Sequence, residues 1–221
     1  MLTETHLDAR PSAQHECHST RWLENRFAKD ERRSMIWSRL PILNTVPDLD
    51  SDSTIAIEVQ APTCKMIVYG TIIPYGGAGA TCHYRMNGVE HRAKGWELHY
   101  KAIAQNEENL KQLRARYPDH MICFGGDFNQ ARNKPAKGRY RYGTNKCRQL
   151  LSASLEQVKM TCVTELDFVE LGHLKSKSTI DHLCVTNTHC SLVSNVKAWD
   201  SPVHSGKCDT DHNGVIIEVN G

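Results

Sequence analysis

Short, β-branched apolar runs set the strongest limit on how this chain folds. They recur at Met35-Ile36-Trp37, Ile55 to Val59, Met66 to Ile73, Met121 to Phe124, Thr179 to Val185 and Val215 to Val219, each bounded by Gly, Pro, Asp or Ser. Runs of this length and make-up predict strands. Between the third and fourth, Trp96, Tyr100, Ile103, Leu110, Leu113 and Tyr117 recur at helical spacing from Gly95 until Pro118 stops the segment, which predicts an amphipathic helix of about six turns. A second helix is expected from Lys146 to Val158, where Leu150, Leu151, Leu155 and Val158 share a face. The order strands, helix, strand, helix, strands suits an α/β domain with sheets sandwiched between helices rather than strict β-α-β alternation. With 221 residues, 39% of them hydrophobic, the chain is long enough for one sizeable core and short for two, so one domain over residues 1–221 is expected.

Several function classes are disfavoured at this level. The net charge is only +2, so any affinity for phosphate must come from a local cluster rather than a global field. No run approaches the roughly 20 apolar residues of a membrane span, so a protein that is not a membrane protein is expected. Nine cysteines without a C-x-x-C pair, behind an N-terminal MLTETHLDAR that lacks an apolar signal segment, predict free thiols in a reducing cytoplasm. The stretch HECH at His15 to His18 lacks a second spaced pair to complete a metal site and reads as a polar surface turn. Asp119-His120 follows Pro118 and reads as a solvated connection.

The chemistry concentrates around MICFGGDFNQARNKPAKGRYRYG, which begins at Met121. If the strand stays extended, Asp127 and Asn129 face one side while Phe128 enters the core. Gly125 and Gly126 clear the backbone where it leaves the sheet, which allows close approach to a ligand; a plain strand-to-loop turn with a capping Asp is the alternative. Asp181 lies inside the strand-like STIDHLCV, where a buried carboxylate needs a partner. His212 opens the last strand in DTDHNGVIIEV, and an imidazole oriented by a carboxylate is suited to contacting phosphate; Asp181 is the candidate carboxylate. Glu4, in LTETH, reads alone as an exposed terminal acid. Arg132, Lys134, Lys137, Arg139 and Arg141 crowd one loop with Tyr140 and Tyr142 between them, a make-up that fits either nucleic-acid contact or a solvated basic loop.

Taken in order, Glu4, GDFN, IDH and TDH resemble the endonuclease/exonuclease/phosphatase superfamily, which includes exonuclease III and pancreatic deoxyribonuclease. SMIWSRLPI is similar to that family's strand ending in Ser-Arg, VYGTIIPY to its strand ending near a proline, and GDFNQ to its most specific signature. The resemblance runs from Glu4 to Val219 and implies a two-sheet β-sandwich flanked by helices, in four layers, with an active site gathered from loops at one end of the sheets. It implies that Glu4 and Asp211 hold a divalent cation, Mg²⁺ or Mn²⁺, which oxygen donors suit. Asp127 would position or deprotonate the attacking water, Asn129 would hold water or phosphate, and His212, held by Asp181, would contact the scissile phosphate. Arg139 and Arg141 would contact substrate.

Two departures stand out. Family members usually begin with a further strand carrying an asparagine, whereas this sequence starts three residues before Glu4; either that strand is absent or the true start lies upstream. Relatives also place Tyr or His shortly before the proline of YGTIIPY, where Thr71 and Ile72 stand, leaving Thr71 as a hydroxyl that could meet substrate. The expected activity is metal-dependent phosphodiester hydrolysis on DNA or RNA. Hydrolysis of a small phosphoester, such as an inositol phosphate or a phospholipid headgroup, and non-catalytic phosphate or nucleic-acid binding are the alternatives.

Overall fold

A computed structural model describes residues 1–9, 11–21, 30–78, 84–86, 89–91, 94–133, 141–201, 203–204, 207–208, 210 and 212–220. The strands are β1 (Leu2–His6), β2 (Glu16–Ser19), β3 (Glu31–Ser38), β4 (Ile42–Thr45), β5 (Thr54–Gln60), β6 (Lys65–Ile72), β7 (Tyr84–Met86), β8 (Val89–His91), β9 (Met121–Asp127), β10 (Met160–Cys162), β11 (Asp181–Thr186), β12 (Val193–Trp199), β13 (Val203–His204), β14 (Lys207–Cys208) and β15 (Gly214–Val219). Helix α1 (Glu97–Arg116) links β6 to β9, and α2 (Asn145–Gln157) links β9 to β10.

A six-stranded sheet in the order β10-β11-β9-β6-β5-β4 forms the centre. Its one parallel pairing among the described strands, β6 with β9, is the pair that α1 connects, as a helical crossover requires. Period-two alternation divides the buried residues between two faces. Ala56, Ile67, Tyr69 and Phe124 turn toward Ile103, Leu110 and Leu113 of α1 and Leu151 and Leu155 of α2. Ile55, Ile57 and Val59, with Met66 and Val68, turn the other way and pack on Ile36 of β3, which belongs to a second sheet ordered β1-β3-β2. The result is a two-sheet sandwich with both described α-helices on the outer face of the larger sheet. A third pair, β12 with β15, covers Phe168, Leu174 and Ala198.

Helix α1 is continuous because no Gly or Pro interrupts it, its buried positions follow helical spacing, and Glu97–Lys101 and Glu107–Lys111 pair one turn apart. Helix α2 starts where the Thr144 hydroxyl accepts from the Cys147 N–H. Leu151, Leu155 and Val158 are buried there, while Leu150 is exposed and does not join their face. Trp96 precedes α1 instead of entering its core, and its ring lies so close to Gly76 that a Cβ there would come within 2.5 Å of it.

Local sequence misled at two polar stretches. Glu16–Ser19, expected in a turn, is a strand because β3 supplies the backbone partners that its own sequence does not signal, and His18 Nε2 reaches Asp50 Oδ2 at 2.9 Å. The His120 ring, expected in solvent, meets Glu58 Oε1 at 3.1 Å with both side chains largely buried. Strand β1 is one of the two outer strands of its sheet, and it borders with β15 a cleft of about 600 Å³. No described helix is long and apolar enough to cross a membrane. Cys17, Cys64, Cys123, Cys147, Cys162, Cys184 and Cys190 are free thiols.

Candidate active site

The C-terminal end of β9 is where the sheet delivers its chemistry. Gly126 pairs with Thr71 across the parallel β6–β9 ladder at φ +131°, and a Cβ there would run into the Thr71 carbonyl oxygen. Only glycine lets the two backbones approach this closely in that conformation. Asp127 follows as the last residue of β9, directly opposite Asp181, the first residue of β11. Two carboxylates therefore flank the end of one antiparallel pair.

Asn129 joins Asp127 by a turn, not by strand alternation. Phe128 is fully buried and donates its N–H to the Ile180 carbonyl at 2.9 Å. The chain then turns through a left-handed residue, Asn129 at φ +47°, a region that Asn tolerates better than most residues. Its backbone N–H donates to Asp127 Oδ1 at 2.8 Å, and its Nδ2 donates to Asp127 Oδ2 at 2.6 Å and to the Ile73 carbonyl at 3.0 Å. The carboxylate is held on both oxygens and the amide is tied to the end of β6.

His212 Nδ1 lies 2.8 Å from Asp181 Oδ2, with both side chains largely buried. A carboxylate accepts only, so Nδ1 is the donor. Ligand atoms of Asp127, Asp181 and His212 all lie within 4.8 Å of one another. Glu4, exposed on β1, lines the same cleft of about 370 Å³ as Asp127, Asn129 and His212. Burial above all, then the charge of Asp181 with a smaller contribution from Glu4, pushes the Asp127 carboxyl up to about 8, against the pull of His212 and the Asn129 N–H.

The remaining sequence candidates fall elsewhere. Thr71 is fully buried, and its hydroxyl faces Asn106 of α1, which donates to it at 3.3 Å; it does not line the cleft. Arg141 Nη2 donates to the Arg132 carbonyl at 2.8 Å, turned onto the protein rather than toward the cleft. Arg132 is itself buried, clamped to Glu165 at 2.9 Å and to the Arg148 carbonyl at 2.9 Å. Asp211, Arg139, Lys134, Lys137 and Tyr140 lie outside the described residues. His182, the second residue of IDH, is a core residue between Thr164 Oγ1 and the Gln130 carbonyl.

Sequence reasoning missed a brace behind the site. His99 of α1 is fully buried, with Nδ1 2.8 Å from the Pro74 carbonyl and Nε2 3.1 Å from the Gln130 Nε2 amide. A carbonyl cannot donate, so Nδ1 carries the proton and Nε2 accepts. One neutral imidazole thus ties the loop after β6 to the residue that follows Asn129. The available signal was a histidine among the buried positions Leu98, Ala102 and Ile103 of an amphipathic helix. Tyr142, named in the basic loop as a candidate for nucleic-acid contact, lines the cleft, and so does Tyr75, which the sequence did not single out.

This sandwich shares its fold with solved structures of nucleases. The chain is similar over 99% of its length to an AP endonuclease from Archaeoglobus fulgidus, covering 87% of that chain with a TM-score of 0.66 at 12% identity. It is similar over the same share to the 3′ phosphatase NExo from Neisseria bound to a product DNA hairpin, covering 86% of that chain with a TM-score of 0.62 at 16% identity. The endonuclease domain of TRAS1, a telomere-specific non-LTR retrotransposon, matches over 94% of this chain and 79% of its own, with a TM-score of 0.57 at 13% identity. No protein-family model and no curated protein matches the sequence.

Proposed function

We propose that this chain is a divalent-metal-dependent phosphodiester hydrolase that acts on nucleic acid. The observation that carries the reading is the convergence of Glu4 of β1, Asp127 at the end of β9, Asn129 in the turn after it and His212 just before β15 on one cleft, with Asp181 of β11 bonded to His212. The structural neighbours named above, an AP endonuclease, a 3′ phosphatase with DNA and a retrotransposon endonuclease, support the reaction class.

The donor set fits a hard cation. Carboxylate oxygens of Asp127 and Glu4 open onto the cleft, and the upward displacement of Asp127 by burial and like charge is the repulsion that a bound Mg²⁺ or Mn²⁺ relieves. Asp127 and Glu4 would hold the ion, with Asp211 completing the set, and when bound it neutralises charge on the phosphate oxygens. Asp127, fixed on both oxygens by Asn129, aligns the attacking water and takes its proton. Asn129 fixes the carboxylate and offers its amide to water or phosphate. His212, its Nδ1–H donated to Asp181, would have to enter the reaction with a proton on Nε2 as well; that N–H then donates to a non-bridging oxygen of the scissile phosphate, and the Asp181 carboxylate balances the charge of the ring.

The test is nicking of supercoiled plasmid by purified protein with Mg²⁺ or Mn²⁺, repeated with EDTA and with His212→Ala. Cleavage that stops in EDTA and falls at least about 100-fold in the variant is expected. Cleavage equal in variant and wild type would overturn the reading.

A further inference from the structure

The cleft carries an aromatic wall that the hydrolytic machinery does not use. Tyr75 follows Pro74 at the end of the β6 loop and is 53% exposed, and Tyr142 lines the same cleft as Asp127 and Asn129. Both positions are built into the scaffold. The Pro74 carbonyl is held by His99, the Tyr75 carbonyl accepts from the Ala78 N–H at 3.1 Å, and the backbone of Gly76 lies against the Trp96 ring. Trp96 in turn meets Tyr142 edge to face at 5.8 Å and His99 at 5.1 Å, and the Tyr142 carbonyl accepts from the Ala131 N–H at 3.0 Å and from Arg148 at 3.1 Å. One brace, His99 with Trp96, therefore sets both tyrosines and, through Gln130, the turn that carries Asn129.

We infer that Tyr75 and Tyr142 form a nucleobase-binding subsite beside the hydrolytic centre, so that the substrate is a strand presenting an unpaired nucleotide there. The inference rests on the nuclease reading and narrows it. A base inside a duplex has both faces covered by its neighbours, and only an unstacked base offers a face to a tyrosine ring. Such a stack changes affinity by roughly 5- to 150-fold per base. An inositol phosphate has no aromatic face to offer, whereas Lys177 on the same cleft suits the flanking backbone phosphate.

Three probes separate the possibilities: a fluorescently labelled single-stranded oligonucleotide, the same sequence as a blunt duplex, and a base-free oligomer of tetrahydrofuran phosphodiester units. Binding is read by fluorescence anisotropy in EDTA, and cleavage by steady-state kinetics with Mn²⁺. Tyr75→Ala should weaken binding of the single strand, and raise its KM, about tenfold or more, with the loss confined to probes that carry bases; Tyr75→Phe, which keeps the ring, should restore both. Because the side chain is half exposed, the alanine variant is expected to keep its circular dichroism spectrum. Equal losses on the base-free oligomer, no loss on the single strand, or no preference for single strand over duplex would each overturn the subsite. If wild type cleaves none of the probes yet binds the single strand in a Tyr75-dependent way, the subsite stands and the hydrolytic reading falls.

Discussion

His99 makes stability depend on pH in a direction that the structure dictates. Its Nδ1–H faces the Pro74 carbonyl and its Nε2 faces the Gln130 amide, so a second ring proton would point at another donor inside a fully buried site. Burial pushes its pKa down from 6.5 to about 4, against the pull of the Pro74 carbonyl. Between those values the unfolded chain holds a proton that the folded chain does not, so stability rises with pH across the window and is lost as pH falls from 6.5 toward 4. The gap corresponds to about 3 kcal/mol at 1.36 kcal/mol per pH unit. Asp127, raised to about 8, tilts stability the opposite way over pH 4 to 8, because its folded form holds the extra proton. The assay is therefore a difference: urea unfolding of wild type and His99→Gln from pH 4.5 to 7.5, in which the Asp127 contribution cancels. The wild type should gain about 2–3 kcal/mol relative to the variant between pH 4.5 and 7. Parallel profiles, or an NMR titration of the His99 ring near 6.5, would refute the reasoning.

Other perturbations address the scaffold and the site separately. Gly126→Ala should cost at least about 2 kcal/mol, because φ is positive and the Thr71 carbonyl occupies the space; thermal melts check it, and an unchanged melting temperature would show that β6 and β9 can separate without penalty. Asn129→Ala should lower kcat at least about 100-fold, since it frees Asp127 Oδ2 while the backbone N–H still holds Oδ1; single-turnover rates decide, with a circular dichroism spectrum to show that the variant folds. Arg132→Met should destabilise the fold by about 1–3 kcal/mol without changing the salt dependence of nucleic-acid binding, because its guanidinium is committed to Glu165 and the Arg148 carbonyl; a shallower salt slope would instead place it on substrate.

The parts of this fold that could be read in the sequence are those in which local composition and tertiary environment agree. β5, β6, β9 and β11 are buried and β-branched, and α1 is long, uninterrupted and amphipathic. β1, β2 and β12 are half exposed and polar, and they become strands only because neighbours complete their ladders. Asp181 and His212 could be linked from sequence because a carboxylate inside an apolar strand needs a donor. The geometry of Asn129 could not be deduced, since extension was assumed where a left-handed turn follows. Thr71, a candidate only through the resemblance of YGTIIPY to a family strand, turns its side chain to Asn106 on the helix-covered face. Arg132 misled because a basic residue in a loop reads as solvated until its buried partners are seen. His99 and Tyr75 depend on contacts between segments distant in sequence, which no local pattern encodes.

The central claim is tested most directly by the single-turnover rate of oligonucleotide cleavage by Asp127→Asn against wild type at saturating Mn²⁺. A carboxylate that aligns and deprotonates water predicts a fall of at least about 100-fold with the fold retained. A folded Asp127→Asn protein that cleaves at the wild-type rate would contradict the account.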